Sequence, residues 1–195
     1  MQQLTGLDAS FLYLETANVP MHISSLSIYD QSTAPGGKVR FKEIIDNYAK
    51  RMRPLPVMTR RLVEVPFGLD HPYWVADANF DPEFHIRHIA LPSPGDWRQL
   101  CILVSRLQAR PLDRSRPLWE AYVIEGLDNV EGIPKGSYAV FVKTHHAAID
   151  GSSGVEIMAA VHDLTPDYKR TEEGVVVADR EPSKMELLAR SQINM

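Results

Sequence analysis

A single cysteine, Cys101, stands in 195 residues, which excludes an intrachain disulfide and gives no sign of an oxidising compartment. Basic charge is not in excess. The 21 Lys and Arg against 25 Asp and Glu leave a formal net charge of −4, so the chain lacks the footprint of a nucleic-acid binder. No apolar run approaches the roughly 18 residues needed to span a bilayer. The opening "MQQLTGLDASFLYLET" has no basic region followed by an apolar stretch, so no signal peptide is expected. Internal repeats and low-complexity tracts are absent as well. The expectation is a soluble, cytoplasmic chain, with peripheral contact to a membrane or lipid surface left open.

Two catalytic signatures are also missing. Without His-Glu-x-x-His or a cysteine cluster, no metal site is expected. Without a Gly-x-Ser-x-Gly elbow, a covalent serine mechanism is not expected. Cys101 falls mid-helix among apolar neighbours and reads as a buried, inert thiol.

What is present is a 44% hydrophobic chain, enough for one domain with a real core or for half of a larger protein. Leu7, Phe11 and Leu14 are spaced like one face of a short helix, more often core than a lipid contact. "HISSLSIY" alternates and predicts a strand; "APGGK" predicts a turn. From Lys38 a helix is predicted, with Phe41, Ile44, Ile45, Tyr48 and Met52 at helical spacing, stopped by Pro54 and Pro56. "RRLVEV", "YWVA" and "FHIRHIAL" read as strands. Asp96 can cap a helix striped by Trp97, Leu100, Val104 and Leu107. "LWEAYVIEGL" and "SYAVFVKTH" are strand-like, the second dense in β-branched and aromatic residues. A further helix is predicted after it, with Ser153 and Glu156 at capping-box spacing and Gly154, Ile157, Met158, Val161 and Leu164 along one face. Alternating strands and helices predict a mixed α/β architecture. From Thr165 the chain turns polar. Residues 1–166 are expected to form one domain, 167–183 a linker, and 184–195 the start of a truncated helix capped by Ser183 and Glu186, leading to a missing C-terminal domain.

The segment "FVKTHHAAIDGSSG" carries the chemistry. His145 and His146 are neighbours and would point to opposite faces of a strand, which is poor for chelation; His85 and His88 would also oppose each other. Ser152 and Ser153 are better explained as helix caps. A general base fits the place: a buried strand fixes position and the following loop gives access. Asp150 can orient His146 or pair with an arginine, and Gly151 permits a sharp turn. Both histidines can also be structural polar residues at a strand end, the commoner case for an arbitrary His-His pair, and the residues alone leave the two readings open.

His145, His146, Asp150 and Gly151 resemble the HHxxxDG motif of coenzyme A-dependent acyltransferases. "LDASFLYLE" with "PMHI", and "RPLDRSRPLWEAYVIEGL" with Pro117, Leu118 and Trp119 as its Pro-Leu-Trp segment, resemble the bacterial wax ester synthase/diacylglycerol acyltransferase family. The likeness runs from about Gly6 to Asp167. It implies a chloramphenicol acetyltransferase-like α/β domain, one half of a two-domain enzyme about twice this length whose second half carries an Asn-Asp motif. It further implies acyl transfer from acyl-CoA, a co-substrate with no cofactor required, to a long-chain alcohol or a diacylglycerol. His146 would be the general base, His145 would shape the site, and Asp150 would be mainly structural. Pro117, Leu118 and Trp119 read evenly as a rigid strand entry or as lining of the acyl site. The partners implied are the C-terminal half, and a membrane or lipid-droplet surface. Alternatives are another acyltransferase of this superfamily with a different acceptor, and a non-catalytic acyl-lipid-binding protein of the same fold.

Overall fold

The computed structural model describes residues 1–149, 151–163, 165 and 179–194, without the side chains of 151–153 and 194. Strands run β1 Gln2–Gln3, β2 His22–Tyr29, β3 Arg60–Val63, β4 Tyr73–Ala76, β5 Ile86–Ala90, β6 Trp119–Glu125 and β7 Tyr138–His145. Helices run α1 Gly6–Leu14, α2 Phe41–Met52, α3 Pro56–Thr59, α4 Pro82–His85, α5 Trp97–Gln108, α6 Gly151–Val161 and α7 Lys184–Asn194.

The main sheet has the order β2-β7-β6-β5, antiparallel except for the β5–β6 pair, which is parallel and joined through α5. A parallel pair needs such a crossover, and α5 supplies it. The central strands are buried on both sides, which is why "WEAYVIE" and "YAVFVKTH" read as almost continuous apolar runs. On one face Trp119, Ala121, Val123 and Val140 pack against Ile44, Tyr48 and Met52 of α2 and Ile157 of α6. On the other, Tyr122, Ile124, Ala139 and Phe141 pack against Leu100 and Leu107 of α5. The result is a mixed α/β domain of helix, sheet and helix layers. A second, three-stranded sheet of order β1-β4-β3 sits beside α1, with Leu62 of β3 in one cluster with Ala9, Leu12, Leu118 and Ala147.

Several expectations need correcting. The helix at Gly6–Leu14 forms, but Leu7 is 71% and Leu14 61% exposed while Ala9 and Leu12 are buried. Its inner stripe is therefore offset from the expected one. Cys101 is exposed; it lies about 100° round α5 from buried Leu100, and the stripe of Leu100, Leu103, Val104 and Leu107 faces away from it. Trp97 is also half out of the stripe at 41% exposed, with its indole N–H donating to the Glu131 carbonyl at 2.9 Å. His85 belongs to the short α4, capped by Asp81, so the strand expected from Phe84 begins at Ile86. Helix α6 opens at Gly151, which puts Ser153 inside it rather than at its cap. Leu164, Asp150 and most of the expected linker lie outside the described residues. Before α7, the Ser183 hydroxyl accepts the Glu186 N–H at 3.2 Å, but the Glu186 carboxylate turns to Arg180 and Arg190, so only half of that capping box forms.

Candidate active site

The two histidines stand where β7 ends. His145 is the last residue of the strand and His146 opens a single 3-10 turn, His146–Ala148. Three hydrogen bonds donated by backbone N–H groups hold the junction. The His145 N–H donates to the Leu118 carbonyl at 2.9 Å, and the His146 N–H to the Met21 carbonyl at 2.7 Å. The Ala147 N–H donates to Nδ1 of His145 at 3.0 Å, so that ring caps the turn that carries its neighbour.

The two side chains part there. His145 is fully buried, and its Nε2 faces Oε1 of Glu15 at 3.5 Å. Nε2 of His22, the residue paired with His145 across β2 and β7, faces the same oxygen at 3.4 Å. Glu15 follows the last residue of α1. Its Oε2 accepts from Nη2 and Nε of Arg114 at 2.7 and 3.2 Å, and its Oε1 accepts the Met21 N–H at 3.3 Å. Nη2 of Arg114 also donates to the Leu12 carbonyl at 2.9 Å, tying the same cation to α1. Burial pushes the His145 imidazole down to about 4, outweighing the attraction of Glu15, so the ring is neutral at pH 7. Burial alone would raise the Glu15 carboxyl, but its bonds to Arg114 carry it below the usual carboxylate range.

His146 is half-buried. Its ring lies flat on Phe11 of α1, with centroids 3.8 Å apart and planes 16° from parallel. Its Nδ1 is buried with no hydrogen-bond partner among the described residues. Next to the turn, Ala147 and Ala148 line a cavity of about 290 Å³ with Leu55, Trp74, Arg60 and Ile157.

Two histidines and a carboxylate have the donor types of a metal centre, but the arrangement is not one. The Ala147 N–H occupies the lone pair on Nδ1 of His145, so the neutral ring carries its proton on Nε2 and offers no lone pair there. Among the described residues no group of three His, Cys, Asp or Glu is arranged to hold a metal ion.

Of the residues singled out from sequence, His145 and His146 meet here, and Gly151 begins α6 just beyond. Asp150 lies outside the described residues. Leu118 and Trp119 are buried, 0% and 1% exposed. The Trp119 indole donates to the Met58 carbonyl at 2.8 Å, and the ring stacks on His85. The Pro-Leu-Trp segment thus enters β6 as core, and acts on the site through the Leu118 carbonyl under His145. Glu15, His22, Phe11 and Arg114 were not singled out as site residues. A signal was available: Phe11 and Glu15 are four apart in "LDASFLYLE" and fall on one helix face.

Comparison with known proteins follows the same motifs. The model of the wax ester synthase/diacylglycerol acyltransferase catalytic domain matches residues 4–194. A Mycobacterium tuberculosis protein named as a diacylglycerol O-acyltransferase is 40% identical over 169 residues, covering 86% of this chain and 32% of that protein. Another from the same organism, tgs3, is 36% identical over 189 residues, covering 97% of this chain and 66% of its own length. The solved wax ester synthase/diacylglycerol acyltransferase of Marinobacter aquaeolei VT8 superposes with a TM-score of 0.65 at 33% identity, over 80% of this chain and 37% of that one. A condensation domain of the calcium-dependent antibiotic synthetase shares the fold, with a TM-score of 0.61 at 16% identity. In two of these the matched residues cover 32% and 37% of the relative's length, consistent with the N-terminal half expected from sequence. With the catalytic-domain model matched along nearly its whole length and the histidine turn set at the end of β7, the chain belongs to the wax ester synthase/diacylglycerol acyltransferase family.

Proposed function

We propose that this chain supplies the base-bearing part of an acyltransferase that moves a fatty acyl group from acyl-CoA to a long-chain alcohol or a diacylglycerol. The observation that carries the reading is the placement of His146, with its backbone pinned to Met21 and its ring held on Phe11 at the end of the most buried strand pair. His146 takes the proton of the acceptor hydroxyl as that oxygen attacks the thioester carbonyl carbon. The tetrahedral adduct then expels the thiolate, the C–S bond breaks, and the proton passes from His146 to sulfur. No acyl-enzyme forms, and acyl-CoA is the co-substrate with no cofactor required. His145 shapes the turn, and Asp150 serves structure.

The same reading gives the chain a C-terminal region as its partner, beyond a linker at about residues 167–183, and a peripheral place at a membrane or lipid-droplet surface. Among the described residues no helix is long and apolar enough to cross a membrane.

The test follows thiol release from palmitoyl-CoA with hexadecanol or a diacylglycerol as acceptor. The enzyme joins this chain to the C-terminal region of the Marinobacter relative. His146→Ala is expected to lower kcat by roughly a hundred- to ten-thousand-fold, the usual worth of a positioned base. Turnover at the unsubstituted rate would remove His146 from that role. Acyl-CoA binding without thiol release in the unsubstituted enzyme would favour a non-catalytic lipid-binding protein instead.

A further inference from the structure

We propose that Phe11 and Glu15 are positioning residues for the histidine pair, one for each ring. The inference deepens the reading of His146 as base and rests on it. Phe11 and Glu15 are four apart at the C-terminal end of α1, so both project toward the turn at the end of β7.

Phe11 presents its ring face to His146 at 3.8 Å, nearly parallel. Among the described residues Nδ1 of His146 has no hydrogen-bond partner to fix the ring plane, so the stack on Phe11 is the contact that sets it. A base that turns away from the hydroxyl it must deprotonate loses its effect, because proton transfer needs hydrogen-bond reach.

Glu15 acts on the other ring and on the backbone. With Nδ1 of His145 accepting from Ala147, the His145 proton sits on Nε2, a buried nitrogen without a hydrogen-bond partner among the described residues that faces Oε1 of Glu15 at 3.5 Å. The same oxygen accepts from Met21, whose carbonyl in turn holds the His146 N–H. Arg114 fixes the carboxylate from the far side through two contacts to Oε2. The chain of contacts therefore runs from Arg114 through Glu15 and Met21 to His146, with His145 braced beside it.

The test uses histidine-ring NMR on the 195-residue chain together with the thiol-release assay. In the unsubstituted chain the carbon-bound protons of His146 should be shifted upfield by the Phe11 ring, and the ring N–H of His145 should exchange slowly. Phe11→Leu, which keeps bulk but removes the face, is expected to abolish the upfield shift and lower kcat roughly tenfold with KM unchanged. Phe11→Tyr should restore both. Glu15→Leu should make the His145 ring N–H exchange fast, whereas Glu15→Gln, which keeps an oxygen acceptor, should preserve it. Phe11→Leu with the shift retained or with unaltered kcat overturns the role of Phe11. Glu15→Leu with slow exchange retained overturns that of Glu15. If His146→Ala turns over normally, the base assignment fails instead, and the ring signals still decide whether α1 positions the pair.

Discussion

His145 and His146 are adjacent in sequence and differ in almost every physical respect. The first is sealed in the core against Glu15 and His22, the second is half-buried on Phe11. Their sequence spacing showed that they could not chelate together, but gave no means of saying which one was sealed. That division is set by α1 and β2, more than a hundred residues away, and only tertiary packing reveals it. Burial holds the His145 ring at about 4, from an ordinary value of 6.5. Above the unfolded value both states are neutral and the full stability is present. As pH falls from 6.5 towards 4 the unfolded chain takes up a proton that the folded ring refuses, so stability is lost across that window. The loss from this residue is roughly 3 kcal/mol. Burial depresses His22 and His85 in the same direction. Urea unfolding should therefore weaken steadily from about pH 7 to about pH 5, and His145→Gln, which cannot titrate, should flatten part of that slope. An unchanged slope in His145→Gln would show that the acid sensitivity lies elsewhere.

At the scale of elements, patterns with a clear period were legible. "FKEIIDNYAKRM" became α2, starting at Phe41 rather than at the expected Lys38, and "YWVA" became β4 with the expected bounds, because apolar residues fall on one face in the first and alternate in the second. Helix α1 was legible as a helix but not in its orientation. It carries apolar residues on several faces, so periodicity does not choose between the stripe of Leu7 and Leu14 and that of Ala9 and Leu12. The start of α5 shows the same contrast between local and distant causes. Asp96 caps the helix through the Gln99 N–H at 2.8 Å, and this local rule was readable. Gly95 before it has a φ of +70°, and a Cβ there would stand 2.5 Å from the Gly126 carbonyl oxygen, a contact invisible in sequence. Asp96→Ala should cost about 1 kcal/mol. Gly95→Ala should cost more, about 2 kcal/mol or above, since it meets backbone at the end of β6 and also strains its own φ. Thermal melts of the two variants rank them; an equal or smaller drop for Gly95→Ala would mean that the turn shifts away freely.

At the scale of the molecule, the α/β layers were predictable, whereas the convergence of α1, β2 and the Pro-Leu-Trp segment on one turn was not. Each contributes a contact of long sequence separation: Glu15 to His145, Met21 to His146 and Leu118 to His145. These contacts fix the histidine turn, but the proposed acyl transfer also needs two substrates aligned and donors for the developing oxyanion. In the proposed two-part enzyme, the C-terminal region provides the remaining walls and donors. The 195-residue chain by itself should then release no thiol from palmitoyl-CoA. Joined to the C-terminal region of the Marinobacter relative it should gain turnover, and only with His146 intact. Full turnover by the chain alone would place every donor and both substrate paths within these residues. Turnover of the joined form with His146→Ala would assign the chemistry to the added region. Because the turn is braced by contacts internal to this chain, joining the two parts should raise kcat without altering the slow exchange of the His145 ring N–H. A change in that signal on joining would mean that the second region helps to build the histidine turn as well as completing the site around it.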